Sequence, residues 1–325
     1  MTKNSRRDFI AAGAALAAAA ALPGWAQQKW PQKPIKIYVG FPPGGGADAM
    51  ARLVASKLPD RLGQAVVVEN KTGATGTIAS DLVAKSPPDG YTLQLAHINS
   101  NAIGPLLVAK GRFDPVADFT PIALIGITPQ MLCHHPKHKF KDVRDLIAYA
   151  KAHPGKLSFA SSGVGSIQHI AGESFKLAAG VDMLHVPFKG TGEAMSALLS
   201  GDVDTTFSST GSAIPQVKAG KLTLLAVCSP KRLPAFPEVP AVNETLPGYE
   251  IATWYGLAGP AKMPKEIVDR LNAEVRAIVA QPDIAKRLQE LDAEVSSGTP
   301  EQFAAFWKKE NEKYTKLIAE AKIEA

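Results

Sequence analysis

The stretch FPPGGGADAMAR, residues 41–52, decides the fold of this chain. It follows the apolar run IKIYV, residues 35–39, and leads into apolar residues at helical spacing. We therefore predict a strand, a tight glycine loop and a helix that begins near Asp48, a good N-cap residue. Glycines let the backbone approach a bound group, and the free N–H groups of a helix start attract anions. The stretch predicts an anion-binding loop.

The same glycines fit a second interpretation. Gly44-x-Gly46-x-x-Ala49, followed by the strand AVVVEN with Glu69 near its end, resembles the dinucleotide fingerprint and its acidic ribose ligand. No Gly-Lys-Ser/Thr follows the loop, so it does not match a nucleotide P-loop. A dinucleotide-dependent oxidoreductase therefore stays open as the alternative to a binding module.

The N-terminus has the features of an export signal. Residues 5–10, SRRDFI, resemble the twin-arginine motif, and an Ala-rich apolar segment follows from Ala11 to Leu22. Gly24-Trp25-Ala26 has the small-x-small pattern of a signal-peptidase site. We predict that residues 1–26 are a cleaved signal peptide and that the mature protein is periplasmic.

Charge and composition exclude some classes of function. The formal net charge is +6, without a Lys/Arg run, and aromatic residues make up 7% of the chain. Nucleic-acid binding favours a basic stripe with interleaved aromatics, so that class is set aside. Mild positive charge suits the attraction of small anions. The two cysteines, Cys133 and Cys228, lie in apolar runs and are expected to be buried free thiols.

Short apolar runs alternate with helical patterns from residue 35 onward, which predicts an α/β fold with mostly parallel sheets. Three further segments repeat the order of strand, small-residue loop and helix. Two such loops lie in the first part of the chain and two in the middle part, so helix N-termini from two lobes could face a common cleft. The three segments are ENKTGATGTIAS (69–80), ASSGVGSIQHIAGESF (160–175) and HVPFKGTGEA (185–194).

These motifs together are specific enough to indicate a family. PPGGGADAMAR, VVVENKTGATGTIASDLVAKSPPDGYTL, DFTPIAL, LSFASSGVGSIQHIAGE, HVPFKG and WYGLAGPAKMPKEIVDRLN occur in this order. Their combination resembles the Bug family, the periplasmic solute-binding proteins of tripartite tricarboxylate transport systems. The resemblance covers essentially the whole mature chain.

The resemblance implies a two-lobed, type II-like clamshell that binds a small organic carboxylate, a di- or tricarboxylate or an aromatic acid. Residues 27–126 and 230–325 would form the first lobe and residues 127–229 the second, with crossings near 125–128 and 229–233. The partners would be the membrane subunits of a tripartite transporter. We expect a monomer without catalytic activity, metal or cofactor.

The resemblance also implies the ligand contacts, motif by motif. Gly44 and Gly46 complete the first loop, where the glycines themselves predict N–H donors. The implied contacts are Phe41, Pro43, Gly45, Ala47 and Asp48 from the first loop; Ala74 and Gly76 from the second; Ser161, Ser162, Gly163, Ser166 and His169 from the third; and Phe188, Lys189, Gly190 and Thr191 from the fourth.

The chain departs from the family pattern in TTFSSTGSAIPQVKAG, where many members have an acidic or amide residue. Ser208, Ser209 and Thr210 stand there instead, and hydroxyls suit a carboxylate, hydroxyl or aromatic acid better than an ammonium group. We therefore add Ser208 and Ser209 to the predicted ligand contacts. Trp254 and Tyr255 are interpreted as packing in a core or hinge.

Overall fold

The computed structural model of the chain describes residues 30–324 except 292 and 297. The predicted signal peptide, residues 1–26, therefore lies outside the described part.

The first part of the chain alternates strands and helices, as the sequence predicts. Its helices and strands are β1 (Ile35–Val39), α1 (Gly46–Ala55), α2 (Leu58–Leu62), β2 (Val66–Asn70), α3 (Thr77–Ala84), β3 (Thr92–His97), α4 (Gly104–Leu107) and β4 (Phe119–His134).

The middle part continues the alternation, and the last part is mostly helical. The middle part contains α5 (Val143–Ala152), β5 (Ser158–Ser161), α6 (Ile167–Ala179), β6 (Leu184–Pro187), α7 (Thr191–Ser200), β7 (Thr205–Ser209), α8 (Thr210–Lys218) and β8 (Thr223–Val227). The last part contains β9 (Ala252–Pro260), α9 (Lys265–Val279), α10 (Pro282–Glu290), β10 (Glu294–Val295) and α11 (Pro300–Glu320).

Helix α1 begins three residues earlier than predicted. Gly45 is its N-cap, with extended φ and ψ of −78° and 170°, and Asp48 is the third residue of the helix. The prediction of Asp48 as the N-cap is therefore wrong. The reason is that the Asp48 carboxylate accepts a hydrogen bond from the N–H of Gly44, which lies before the helix, and so pulls the glycine loop onto the first turn.

The sheet has parallel pairs at both ends and antiparallel strands in the middle. The strand order is β2-β1-β3-β9-β4-β7-β5-β6, and β8 and β10 also pair with β4. Strands β2, β1 and β3 are parallel, as are β6, β5 and β7, while β9 runs antiparallel to β3 and β4. The curled sheet is flanked by helices, which confirms the predicted α/β class.

Strand β4 changes partners along its length. Up to Pro129 it pairs with β9, and from Gln130 it pairs with β7. At the change, Gln130 N donates to Ile251 O at 3.2 Å, and Cys228 N donates to Gln130 O at 2.8 Å. Ile251 N donates to Cys228 O at 2.9 Å, which closes a backbone triangle. Three chain segments are therefore tied together where the two halves of the sheet meet.

One apolar cluster spans both halves of the sheet, and each half also has a cluster of its own. Around β1 and β3, residues such as Ile37 and Leu93 are buried with Leu271 of α9. Around β4 and β8, Met131, Leu198 and Val227 are buried in another cluster. Residues 233–241 pack against this second cluster, and Val227 forms a parallel bridge with Ala241.

Helix α11 covers the centre of the sheet through aromatic contacts. The Trp254 and Trp307 ring centroids lie 5.2 Å apart, and Trp307 Nε1 donates to Pro115 O at 2.8 Å. Trp254 is fully buried, which confirms its interpretation as a core residue. Cys133 and Cys228 are buried free thiols, as expected.

Gly172 allows α6 to lie close to β5. A Cβ at this position would be 2.1 Å from the ring of Phe159, which is itself fully buried. We expect Gly172→Ala to lower the free energy of unfolding by about 1–3 kcal/mol, the usual cost of overpacking. Gly192→Ala is the control, because no atom lies within 4 Å of its Cβ and alanine favours a helix. Urea unfolding tests this, and equal stability of both variants would contradict it.

Candidate functional site

A cavity of about 720 Å³ lies where the N-termini of five helices meet. Each of these helices follows a strand from its carboxyl end, which is where ligands bind in open α/β sheets. Helices α1 and α3 follow β1 and β2, whereas α6, α7 and α8 follow β5, β6 and β7. All four small-residue loops of the sequence reach this cavity.

Most of the predicted site residues line the cavity. Whether they contact a ligand stays a prediction. The lining residues among them are Phe41, Pro43, Gly44, Gly45, Gly46, Ala47, Ala74, Gly76, Ser162, Ser166, Lys189, Gly190, Thr191 and Ser209. The cavity lining does not include the other six, which are Asp48, Ser161, Gly163, His169, Phe188 and Ser208.

Asp48 supports the first loop from behind. Its Oδ2 accepts hydrogen bonds from Gly44 N and Arg52 Nε, and its Oδ1 accepts one from Asn70 Nδ2, each at 2.9 Å. Burial raises the pKa of the Asp48 carboxyl, but the hydrogen bonds from these three groups outweigh burial and hold it below its usual value. The Asp48 carboxylate is therefore charged, both of its oxygens accept hydrogen bonds, and these bonds fix the shape of the loop.

A pair of histidines supports the third loop in the same way. Gly165 N donates to His169 Nδ1 at 3.2 Å, and the Ser161 hydroxyl bonds to His185 Nε2 at 2.6 Å. The two rings stack with centroids 4.0 Å apart. Burial lowers the pKa of His169 to about 4 and that of His185 to about 3, so both rings are neutral near pH 7.

The first two loops touch each other through their backbones. A Cβ on Gly40 would lie 2.6 Å from the Gly76 backbone, and a Cβ on Gly76 would lie 2.9 Å from the Phe41 ring. Gly76 also has a φ of +88°, which favours glycine. Neither glycine therefore has room for a side chain.

Four of the five helix starts at the cavity have no side-chain cap on their N–H groups. Helices α1, α3, α7 and α8 have no side-chain cap hydrogen bond, whereas Ser166 caps α6 by accepting from His169 N. Lys189 is exposed at the cavity and forms no ion pair within the described part of the chain. No Asp or Glu stands among the described lining residues. The cavity is electropositive, mainly through backbone groups.

Sequence reasoning missed the floor of the cavity, which comes from the central strands. His97, Gln130, Thr253 and Tyr255 line it, together with Asn99. Tyr255 was interpreted as a core or hinge residue, yet it reaches the cavity. The available signal was a polar residue inside an otherwise apolar strand, as Gln130 is in TPQMLC.

The floor is uncharged. His97 Nδ1 accepts a hydrogen bond from Asn99 N at 3.0 Å, and its ring packs between Phe41 and Tyr255. Burial lowers the pKa of His97 to about 3 and raises that of Tyr255 to about 12. Since Nδ1 accepts, the proton of the neutral ring is on Nε2.

The dinucleotide interpretation finds no support here. The Glu69 carboxylate, which would hold a ribose, forms an ion pair with Lys36 Nζ at 2.7 Å on the adjacent strand. In addition, β1 lies between β2 and β3 rather than in the strand order of the dinucleotide fold.

A two-lobed α/β fold with helix N-termini around a cleft defines the class of periplasmic solute-binding proteins. Residues 50–323 match the family described as TctC, tripartite tricarboxylate transporter family receptor, and the chain belongs to it. Its resemblance to the Bug proteins is thus confirmed. Residues 3–23 match a twin-arginine translocation signal, so the protein is exported to the periplasm, where the family associates with the tripartite transporter.

Relatives and solved structures agree with this assignment. The UPF0065 protein in the tcbD-tcbE intergenic region of Pseudomonas sp. (strain P51) is 38% identical over 91% of this chain and 88% of its own. R. palustris Rpa4515, solved with adipate, superposes with a TM-score of 0.84 at 34% identity, over 91% of this chain and 99% of its own. The periplasmic binding protein BugD superposes with a TM-score of 0.81 at 34% identity, over 91% of this chain and 99% of its own. Across the described residues, no helix has the length and apolar character of a membrane span.

The support that Asp48 gives the loop predicts a pH-dependent effect. Asp48→Ala leaves Gly44 N–H and the Asn70 amide without their acceptor, so we expect it to cost about 2 kcal/mol of unfolding free energy at pH 7. Because the folded-state pKa is lower than the ordinary 3.8, this stabilisation is complete above that value and is lost as pH falls through the lowered pKa. The difference in unfolding free energy between wild type and Asp48→Ala should therefore be smaller in acid than at pH 7.

Urea unfolding of both proteins at pH 7 and at about pH 3 measures this difference. Asp60→Ala, an exposed carboxylate on α2, is the control and should change stability by no more than about 0.5 kcal/mol. A difference for Asp48→Ala that is equal at both pH values would show that its carboxylate charge plays no part.

Proposed function

We propose that this protein captures a small organic carboxylate in the cavity and delivers it to the membrane subunits of a tripartite tricarboxylate transporter. It acts as a monomer, without catalysis or a cofactor. The observation that carries this proposal is the convergence of five helix N-termini on a cavity that no acidic side chain of the described residues lines. The adipate bound by the R. palustris relative, at 34% identity, supports the same ligand class.

Backbone groups account for most of the expected binding. Each helix start offers N–H groups that have no intrahelical partner, and aligned peptide dipoles favour an anion there. The side-chain cation available, Lys189, is exposed, and an exposed ion pair contributes about 1 kcal/mol or less. The loops that Asp48 and His169 hold in place supply the donors at fixed positions.

Closure of the two lobes around the ligand would use the segments at Gln130 and Ile251. There the backbone triangle joins the halves of the sheet. Residues 233–241 pack with the second apolar cluster, so we assign residues 230–250 to the second lobe rather than to the first. The second crossing then lies near Ile251 instead of near 229–233.

Variants of Gly45 and Lys189 distinguish ligand binding by backbone groups from ligand binding by a charged side chain. A Cβ at Gly45 meets only Pro42 O at 3.5 Å and its φ of −78° is ordinary, so Gly45→Val should fold normally but fill the cavity. We expect this variant to lose about a hundredfold or more of its adipate affinity. Lys189→Ala should lose about 1 kcal/mol or less of binding free energy, which corresponds to less than about tenfold in affinity. Calorimetry with adipate tests both. The reverse order of effects would show that a side-chain ion pair holds the ligand.

The cavity should discriminate against ligands that carry an amine. A desolvated ammonium group needs a charged acceptor, and no acidic side chain lines the cavity among the described residues. We therefore expect succinate and adipate to bind at least tenfold more tightly than aspartate and 2-aminoadipate, a gap of about 1.4 kcal/mol.

Thermal shift and then calorimetry on these four compounds test both the class of ligand and the discrimination. Saturation at a hundred times the dissociation constant adds about 2.7 kcal/mol of stability, which is readily measured. If neither acid binds, the proposed function is wrong. If the amine-bearing compounds bind as tightly, the cleft contains an acceptor for them.

A further inference from the structure

Two buried side-chain oxygens next to the cavity lack a well-formed hydrogen bond among the described residues. They are Gln130 Oε1 and Thr128 Oγ1, which lies near the Tyr255 hydroxyl. Thr128 is 3% exposed and Gln130 is fully buried. Leaving such groups unsatisfied costs free energy, and among the described residues these two differ from the other unpartnered buried groups because they line a cavity.

Both residues lie on one face of β4, because side chains two apart in a strand point the same way. They adjoin β9, where Thr253 is the register partner of Thr128. Gln130 Nε2 donates to Thr253 Oγ1 at 2.9 Å. We call Thr128, Gln130, Thr253 and Tyr255 the polar floor.

The polar floor belongs to two adjoining cavities. Gln130, Thr253 and Tyr255 line the large cavity. Thr128 lines a smaller one of about 200 Å³, which shares Tyr255 and the Gly44–Gly46 loop with the first. The small cavity also includes the apolar side chains of Met50 and Leu291, and no charged side chain lines it in the described part of the chain. A ligand anchored at the glycine loop therefore has the polar floor beside it.

The chemistry of the polar floor selects a hydroxyl group. The Gln130 amide can be turned about its axis, and since the Thr253 hydroxyl both donates and accepts, either orientation leaves one end of the amide free. A ligand hydroxyl satisfies a free oxygen as a donor and a free NH₂ as an acceptor. It satisfies the Thr128 hydroxyl equally well.

Other groups match the polar floor less well. A second carboxylate finds no cation here, because His97 next to Tyr255 is neutral. An ammonium group finds no carboxylate. A methylene chain would bury both free oxygens without a partner, which costs stability.

We infer that Thr128 and Gln130 are specificity-determining residues that recognise a hydroxyl group on the ligand, which makes this protein a receptor for hydroxycarboxylates. The inference rests on the proposed function and narrows it. The carboxylate binds to the helix starts, and the hydroxyl binds to the polar floor between the two halves of the sheet.

Matched acids test the inference. Calorimetry with succinate against each enantiomer of malate, and with glutarate against each enantiomer of 2-hydroxyglutarate, isolates the hydroxyl group. We expect one hydroxy acid in each set to bind about tenfold or more tightly than its parent acid. In Thr128→Val and Gln130→Met, which keep side-chain size without the polar oxygen, that ratio should fall towards one.

Ser208→Ala is the matched control. The Ser208 hydroxyl is also buried without a partner, but it lines neither cavity, so its removal should leave the ratio unchanged. Equal binding of hydroxy and parent acids by wild type would overturn the inference alone. Equal weakening of both acids in the two floor variants would overturn it as well, since that indicates a structural role. Absence of binding to every carboxylate would overturn the proposed function and this inference with it.

Discussion

The change of partners along β4 is the constraint on which the cavity depends. One strand belongs to both halves of the sheet, and the backbone hydrogen bonds among Gln130, Cys228 and Ile251 hold the change at a single point. Because the strands on either side end towards the same space, their helices start there. The positions of the helix starts therefore follow from the pairing of the strands.

The side chains that hold the loops in place are not the groups that line the cavity. The carboxylate of Asp48 and the rings of His169 and His185 lie behind the lining and are occupied by loop groups. Among the described residues, the polar groups that face the cavity are backbone N–H groups, hydroxyls, amides, the neutral His97 ring and Lys189. Oriented dipoles of this kind need little reorganisation when an anion arrives, because the fold has already fixed them. The buried polar residues thus act on the ligand through the shape of the loops.

Local sequence signals predicted the loops, because a glycine run between an apolar strand and a helical pattern locates a loop to within a few residues. They also placed the strands and the class of fold. The predicted start of α1 was wrong, because the hydrogen bond from Gly44 N to the Asp48 carboxylate is visible only in three dimensions. The polar floor was missed for a similar reason: Gln130 and Thr253 lie 123 positions apart, and only the pairing of β4 with β9 brings them together. Tyr255 reaches the cavity through the same pairing.

The contact between Gly40 and Gly76 has a consequence for how such receptors diversify. Neither glycine has room for a side chain, so a substitution at either one displaces both loops. A change of ligand preference at low cost to the fold therefore has to come from other positions of the cleft. The central strands and the helices on the opposite side are the positions where substitutions can change ligand preference while the anion-binding loops keep their shape.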